Sequence, residues 1–242
     1  MKRWLTIAAL LTSTAAAYLY FTLPIFRDPL PGSDQVVVLH GLGRSESAML
    51  LLENELAGAG FEVHNIGYPS NDQPPDALIN LVSRAVESCC ANNGRTMHLV
   101  GHSLGGLLIR AYLQQGHPDN LGNVVLLGAP NRGSELADQS DGLPGTVLEL
   151  AGPTARLLGT GPDDFPASLA PPDYPVGVIA GTRDALVTNE WLPLPNDGMV
   201  SLESARLEGM TDFKSFDVTH WGLRNNREVA AAVLQFLRYG RF

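Results

Sequence analysis

The amino-acid sequence predicts an α/β domain with a mostly parallel central sheet flanked by helices. From residue 35 onward, short apolar runs alternate with helical patterns, which is the order expected when parallel strands are joined by helices. The first run, Val36 to Leu39, has no polar alternation, which indicates a strand covered on both faces. A length of 242 residues suits one domain of this kind with a core of its own.

The chain divides into strands, helices and one weakly patterned insertion. We predict strands at 36–39, 61–66, 96–100, 123–127, 176–180 and 213–218, and helices at 45–57, 76–91, 107–113, 201–207 and 224–239, the first with Ser45 as its cap. Between 131 and 175 glycine, proline and aspartate are frequent. We interpret this insertion as a short lid, with a packed surface excursion as the alternative.

The N-terminus predicts a membrane anchor or a secretory signal over 1–27, ahead of a folded domain over 35–242. Lys2 and Arg3 precede an apolar stretch over 4–26. As a helix it would span about 35 Å, enough to cross a bilayer core of roughly 30 Å. Ala15 to Ala17 offer a cleavage site, so a cleaved signal stays an alternative. Either way we expect the domain outside the cytoplasm, anchored to a membrane or exported to the periplasm or medium.

Composition excludes one class of partner and leaves the cysteines without an obvious role. The formal net charge of −9 argues against a nucleic-acid partner, because no basic stripe is present to neutralise phosphates.

The two cysteines are neighbours, Cys89 and Cys90. Neighbouring cysteines rarely bridge one another, so we expect two small residues at a helix end, one packed inward. A redox or catalytic role is the alternative.

The segment Gly101-His102-Ser103-Leu104-Gly105-Gly106 is typical of a nucleophile elbow. It places a serine between glycines at a strand-to-helix junction, where the turn is sharp and neighbouring backbone passes close by. Such a turn holds the serine hydroxyl at the end of a sheet, exposed to a substrate. We therefore predict Ser103 as a nucleophile, against the alternative of a glycine-rich turn with an idle serine.

A nucleophilic serine needs a base, and His220 is the best placed of six histidines. It follows the last predicted strand and precedes the last helix, so it lies at the same sheet edge as Ser103. His40 and His102 fit the turns around the site. The remaining histidines fit strand or surface positions and receive no chemical role: His64, His98 and His117.

The histidine needs a carboxylate to fix its tautomer, and two aspartates compete. Asp197 lies in Asn-Asp-Gly, followed by a helix-like segment and the last strand, so it fits the expected order with no element left over. Asp184 follows a predicted strand directly but requires an extra proline-rich segment. We favour Asp197 and keep Asp184 as the alternative.

Attack on a carbonyl builds negative charge on oxygen, which backbone N–H groups must stabilise. The residue after the nucleophile, Leu104, supplies one from the start of its helix. The loop after the first strand, His40-Gly41-Leu42-Gly43, supplies the second, and we predict Leu42 as that donor. A simple strand-end turn is the alternative.

These motifs together resemble the α/β-hydrolase superfamily, and within it the bacterial triacylglycerol lipases and lipase-like esterases. The resemblance rests on the loop at 37–43, the elbow at 101–106, the segments at 128–134 and 196–200, and Thr219-His220. It runs from about residue 35 to the C-terminus and implies ester hydrolysis through an acyl-enzyme. It also supports Asp197, because the acid in those lipases sits in the Asn-Asp-Gly turn.

Two departures from those lipases narrow the expectation. Several of them bind calcium through an aspartate two residues after the histidine, but this chain has Gly222 there, so we expect no metal and no cofactor. The insertion is also shorter than the lids of interfacial lipases, which favours smaller acyl esters over long-chain triglycerides.

The sequence thus predicts a carboxylic ester hydrolase acting on a small-molecule or lipid ester. An acyltransferase using the same three residues is the alternative within enzymes. A catalytically idle binding module on the same fold is the alternative from another class.

Overall fold

A computed structural model describes residues 32–139, 154–184 and 191–242. Six strands in the described ranges form one sheet in the order β2-β1-β3-β4-β5-β6, with every pair parallel. The strands are β1 (Gln35–Leu39), β2 (Glu62–Ile66), β3 (Met97–His102), β4 (Leu121–Leu127), β5 (Val176–Gly181) and β6 (Asp212–Phe216). The predicted parallel sheet is confirmed.

Helices cover both faces of this sheet. They are α1 (Leu50–Gly58), α2 (Pro75–Cys89), α3 (Leu104–Gln114), α4 (Glu135–Asp138), α5 (Leu202–Ala205) and α6 (Arg227–Tyr239), with 3-10 turns at Glu46–Met49, Phe165–Ser168 and Gly222–Arg224. Alternate residues of β1 point to opposite faces. Val37 packs in the cluster formed with α2 and α3, and Val38 packs in the one formed with α1 and α6.

Two predicted helices begin later in the structure. The first begins as a 3-10 turn after Ser45, whose side chain makes no capping hydrogen bond. The last begins at Arg227 rather than 224, because the side chain of Asn226 accepts the N–H groups of Glu228 and Val229 and so caps it there.

Cys89 and Cys90 form a disulfide, so the expectation that these neighbours stay unbridged is wrong. Consecutive residues of an α-helix point about 100° apart, which keeps their sulfurs separate. Here α2 ends at Cys89, and Cys90 takes the non-helical angles φ −137° and ψ −29°. The departure from the helix turns the second side chain toward the first.

Two sequence predictions fall wholly or partly beyond the described ranges. The anchor or signal at 1–27 lies outside them, and no helix within the described ranges is both long and apolar enough to cross a bilayer. Of the insertion at 131–175, the structure describes 131–139 and 154–175.

Candidate active site

Ser103 lies between β3 and α3 with a backbone that side-chain-bearing residues rarely adopt, φ 54° and ψ −123°. Its N–H donates to the carbonyl of Leu127 at 2.8 Å, which ties the turn to the end of β4. A Cβ on Gly105 would lie 2.6 Å from the carbonyl oxygens of both Leu39 and His40. Glycine is therefore required where α3 passes over the end of β1, and the sequence forces the sharp turn that was predicted.

His220 and Asp197 form a buried pair at the same sheet edge. Nδ1 of His220 lies 2.8 Å from Oδ2 of Asp197, and the two side chains are only 7% and 1% exposed. The other carboxylate oxygen accepts the N–H groups of Met199 and Val200 at 3.0 and 2.8 Å. Because an ionised carboxylate only accepts, the histidine proton sits on Nδ1 and the lone pair on Nε2.

Glycines at the ends of β4 and β5 leave room for this pair. A Cβ on Gly128 would lie 3.2 Å from both Oδ2 of Asp197 and Nδ1 of His220, and its φ is +54°. A Cβ on Gly181 would lie 2.7 Å from Cβ of Asp197. The Asp197–His220 pair is thus packed directly against the carboxyl ends of two central strands.

The loop after β1 holds one peptide in a fixed orientation beside the serine. His40 is fully buried, and its Nδ1 lies 2.9 Å from the carbonyl oxygen of Gly41, to which it must donate. In a planar trans peptide the next N–H, that of Leu42, points opposite to that carbonyl. A Cβ on Gly41 would lie 3.0 Å from Cβ of Ser103, so this peptide is close to the serine.

Leu104, the other predicted donor, is the first residue of α3. The N–H groups of a helix's first turn have no partner within the helix, so this one is available to a ligand. The two predicted donors therefore belong to segments that flank Ser103.

The comparisons with known proteins agree with this architecture. A family model described as palmitoyl protein thioesterase matches residues 35–153. The mature lipase BlEst2 of Bacillus licheniformis superposes with a TM-score of 0.68 at 19% identity, covering 89% of this chain and 96% of that one. The chain has the α/β-hydrolase fold.

Sequence relatives of this chain include bacterial lipases. Triacylglycerol lipases of Pseudarthrobacter phenanthrenivorans and Burkholderia plantarii are 31% identical to it over 112 residues, which is 43% of this chain. The match covers 35% and 31% of those two proteins, so the chain spans about a third of the curated relatives it matches. The resemblance to lipases and related esterases expected from the motifs is confirmed.

His102 links the elbow to the histidine loop. Its Nε2 lies 3.0 Å from the carbonyl oxygen of His220, and the two rings are 4.6 Å apart. A carbonyl only accepts, so the proton is on Nε2. Burial is the main reason that the pKa of His102 lies well below its ordinary value, and the neighbouring His220 lowers that pKa further. His102 thus stays neutral and ties the loop that carries His220 to the turn at Ser103.

Tyr68, a residue that could not be recognised from the sequence, helps to hold His40 in place beside the site. Its ring stacks on that of His40 with centroids 4.1 Å apart, its N–H donates to Nε2 of His40 at 3.3 Å, and its hydroxyl donates to the carbonyl of His40. Burial lowers the pKa of His40, so the ring stays neutral with Nδ1 protonated. No motif marks Tyr68; the stacking arises because β1 and β2 pair and bring their following loops together.

Asp184, the alternative acid, lies three residues beyond β5, half-buried at the end of the described range 154–184. The ring nitrogen of His220 contacts Asp197 instead. The geometry therefore supports Asp197 as the partner of His220.

The described ends of the insertion contact loops on both sides of the site. Oγ of Ser134 donates to the carbonyl of Met199, two residues from Asp197, at 2.8 Å. Oγ1 of Thr154 donates to the carbonyl of Gln73, in the loop after β2, at 2.7 Å. The described parts of the insertion thus contact both the turn that carries Asp197 and the loop after β2.

Proposed function

We propose that this protein is a serine hydrolase that cleaves carboxylic esters through an acyl-enzyme on Ser103. The observation that carries the proposal is the buried His220–Asp197 pair at the sheet edge where Ser103 holds φ 54°. A base with its lone pair on Nε2, at the same sheet edge as a serine on a strained turn, is the arrangement that we expect for serine acyl transfer. The matches to lipases and to a thioesterase family model support the same class of reaction.

The proposed mechanism uses groups whose positions are given above. Nε2 of His220 takes the hydroxyl proton as Ser103 attacks the ester carbonyl, and Asp197 stabilises the positive charge on the ring. The N–H groups of Leu42 and Leu104 stabilise the oxyanion. His220 then protonates the leaving alcohol, and water releases the acid by the same steps.

Thioester hydrolysis is the second candidate, because the family model that matches residues 35–153 is that of palmitoyl protein thioesterases. The same residues serve it, and they also serve transfer of the acyl group to an alcohol. A panel of p-nitrophenyl esters and acyl-CoA thioesters of increasing chain length, with product analysis in added alcohols, separates these reactions.

The test of the central proposal compares Ser103→Ala with Ser47→Ala, an exposed serine outside the site. Ser103→Ala is expected to lose activity by several orders of magnitude and to lose labelling by a fluorophosphonate probe, while Ser47→Ala keeps both. Labelling that persists in Ser103→Ala contradicts the proposal. A wild-type protein that is never labelled favours an idle binding module.

We further propose that residues 131–175 form a lid. The contacts of Ser134 and Thr154 with loops on opposite sides of the site support this role. Mobile insertions over a site gate substrate entry. To hold the insertion in place, Ser134 and Met199 are both replaced by cysteine and joined in a disulfide. This variant is expected to lose more activity on bulky esters than on acetate esters, and to regain it when the disulfide is reduced. Equal loss on both substrates contradicts a lid.

We also propose that the segment 1–27 directs the domain out of the cytoplasm, supported by its Lys2-Arg3 flank and apolar stretch. Fractionation of cells expressing the full chain separates the two alternatives. An anchored chain sediments with membranes at full mass, and a cleaved one is soluble and shorter. Full-length chain in the cytosolic fraction contradicts both.

A further inference from the structure

Two cysteines and a histidine meet beside β2, which is an edge strand of the described sheet. His64 lies on β2, and Cys89 and Cys90 end α2, which runs back from the carboxyl edge of the sheet. One ligand atom from each of the three lies within 4.8 Å of the others. The proposed triad and oxyanion donors do not use this cluster.

The backbone of both cysteines is held by contacts that do not involve sulfur. The N–H of Cys90 donates to Val86 at 2.9 Å. Nδ2 of Asn93 donates to the carbonyl of Cys89 at 3.3 Å, and Nδ2 of Asn120 donates to that of Cys90 at 2.8 Å. Because these bonds do not depend on the S–S bond, we expect the two thiols to stay close to His64 after the disulfide is cleaved.

His64 is oriented by a fixed carboxylate. Its Nε2 lies 2.9 Å from Oε1 of Glu62, and Arg95 donates to both oxygens of Glu62 at 2.6 and 3.0 Å. Nε2 of Gln35 also lies 3.2 Å from this ring nitrogen. When Nε2 of His64 donates to Glu62, the lone pair of the ring is on Nδ1. Metal-binding histidines in proteins are commonly held by a carboxylate in this way.

We propose that the dithiol form of Cys89 and Cys90, together with His64, binds one zinc-like divalent ion. Two thiolates and one imidazole are a typical zinc ligand set, with water in the fourth position. Around a tetrahedral zinc such ligand atoms lie roughly 3.5–3.8 Å apart. The present atoms lie within 4.8 Å of one another, so only small side-chain movements are needed.

The site is controlled by the redox state of the cysteines. A thiol-class reductant exchanges with the disulfide, so its own two thiols become a disulfide while Cys89 and Cys90 each gain one electron and one proton. Both thiols then lose their protons to buffer as the ion binds, because the thiolate is the ligand. In the bridged state neither sulfur can supply a thiolate, and the site is closed to the ion.

Cobalt(II) titration of the full chain tests the proposal. The disulfide is reduced with a phosphine, the phosphine is removed under argon, and the protein is titrated with cobalt. The thiolate-to-cobalt charge-transfer absorption reports whether sulfur is a ligand. We expect one cobalt per chain, displaced by zinc, in the reduced protein and none in the bridged protein. His64→Gln is expected to weaken binding at least tenfold, and Glu62→Gln by about 10–100-fold.

A matched control is His117→Gln, which alters a half-exposed histidine beside Asp173, away from the cluster. This variant is expected to bind cobalt like the wild type, and circular dichroism checks that every variant is folded. Reduced protein that binds no cobalt overturns the proposal. Binding that is unchanged in folded His64→Gln overturns it too, since the cysteines alone would then hold the ion.

Discussion

Replacing Asp197 with asparagine separates the two candidate acids and tests the tautomer of His220. The carboxylate of Asp197 accepts three hydrogen bonds, two from backbone N–H groups through Oδ1 and one from His220 through Oδ2. In Asp197→Asn the amide oxygen keeps the two backbone bonds, so its NH₂ faces Nδ1. The histidine must then carry its proton on Nε2, where it cannot accept one from Ser103.

The expected loss follows from the cost of restoring the productive tautomer. Turning the amide over returns an oxygen to His220 but leaves two backbone donors facing an NH₂ group. Losing two buried hydrogen bonds costs about 1–3 kcal/mol each, or about 2–6 kcal/mol together. At about 1.36 kcal/mol per tenfold, the productive population falls by roughly 30-fold to 3 × 10⁴-fold. Loss of the charge that stabilises the imidazolium adds to this, so we expect kcat to fall by about 10³- to 10⁴-fold with KM little changed.

Steady-state kinetics on a p-nitrophenyl ester measures the effect, with Asp184→Asn as the matched control. The control is expected to stay within about tenfold of the wild type. Thermal denaturation of both variants separates a catalytic loss from an unfolded protein. If Asp197→Asn keeps a tenth of the wild-type kcat, or Asp184→Asn loses as much as Asp197→Asn, the assignment of the acid is wrong.

Three further changes test the surroundings of the site and the fold. His40→Leu is expected to lower kcat by about a hundredfold with little change in KM, because leucine cannot donate to the carbonyl of Gly41 and so no longer orients that peptide. An unchanged kcat contradicts this. Gly105→Ala is expected to lower the free energy of unfolding by about 1–3 kcal/mol, because the added Cβ would meet two carbonyl oxygens. Gly58→Ala is expected to raise it by about 0.5 kcal/mol, because a Cβ there has open space around it. The melting temperatures of the two variants, compared with wild type, test both expectations. Arg95→Gln is expected to destabilise the protein at pH 7. The stability difference from wild type should shrink as pH falls from about 4.5 to about 2, because Glu62 loses its charge over that window. Urea unfolding of both proteins at pH 7 and pH 3 measures this difference.

The sheet could be predicted because its strands are buried on both faces. Val36 to Leu39 alternate between two cores, one under α2 and α3 and the other under α1 and α6, so no position tolerates a polar side chain. The loops that follow such strands gather at one edge, which is why residues as far apart as 103 and 220 could be placed near each other from the chain order alone.

Side-chain contacts between distant loops could not be predicted in the same way. The order of elements after β5 favours Asp197 but leaves Asp184 as an alternative, and the 2.8 Å contact between Asp197 and His220 supports the first of them. The stacking of Tyr68 on His40 depends on the pairing of β1 with β2, and the residues around Tyr68 carry no pattern that marks it.

The disulfide between Cys89 and Cys90 could not be predicted from the sequence either. Adjacent cysteines within a helix cannot meet, so the interpretation of Cys89 and Cys90 depended on where α2 ends. A difference of one or two residues in that boundary, beyond the accuracy of any pattern of apolar spacing, decides whether the sulfurs diverge or bond. Because the residues that hold these two carbonyls, Asn93 and Asn120, come from two separate later turns, the geometry that closes the bridge is a property of the folded domain rather than of the Cys-Cys dipeptide.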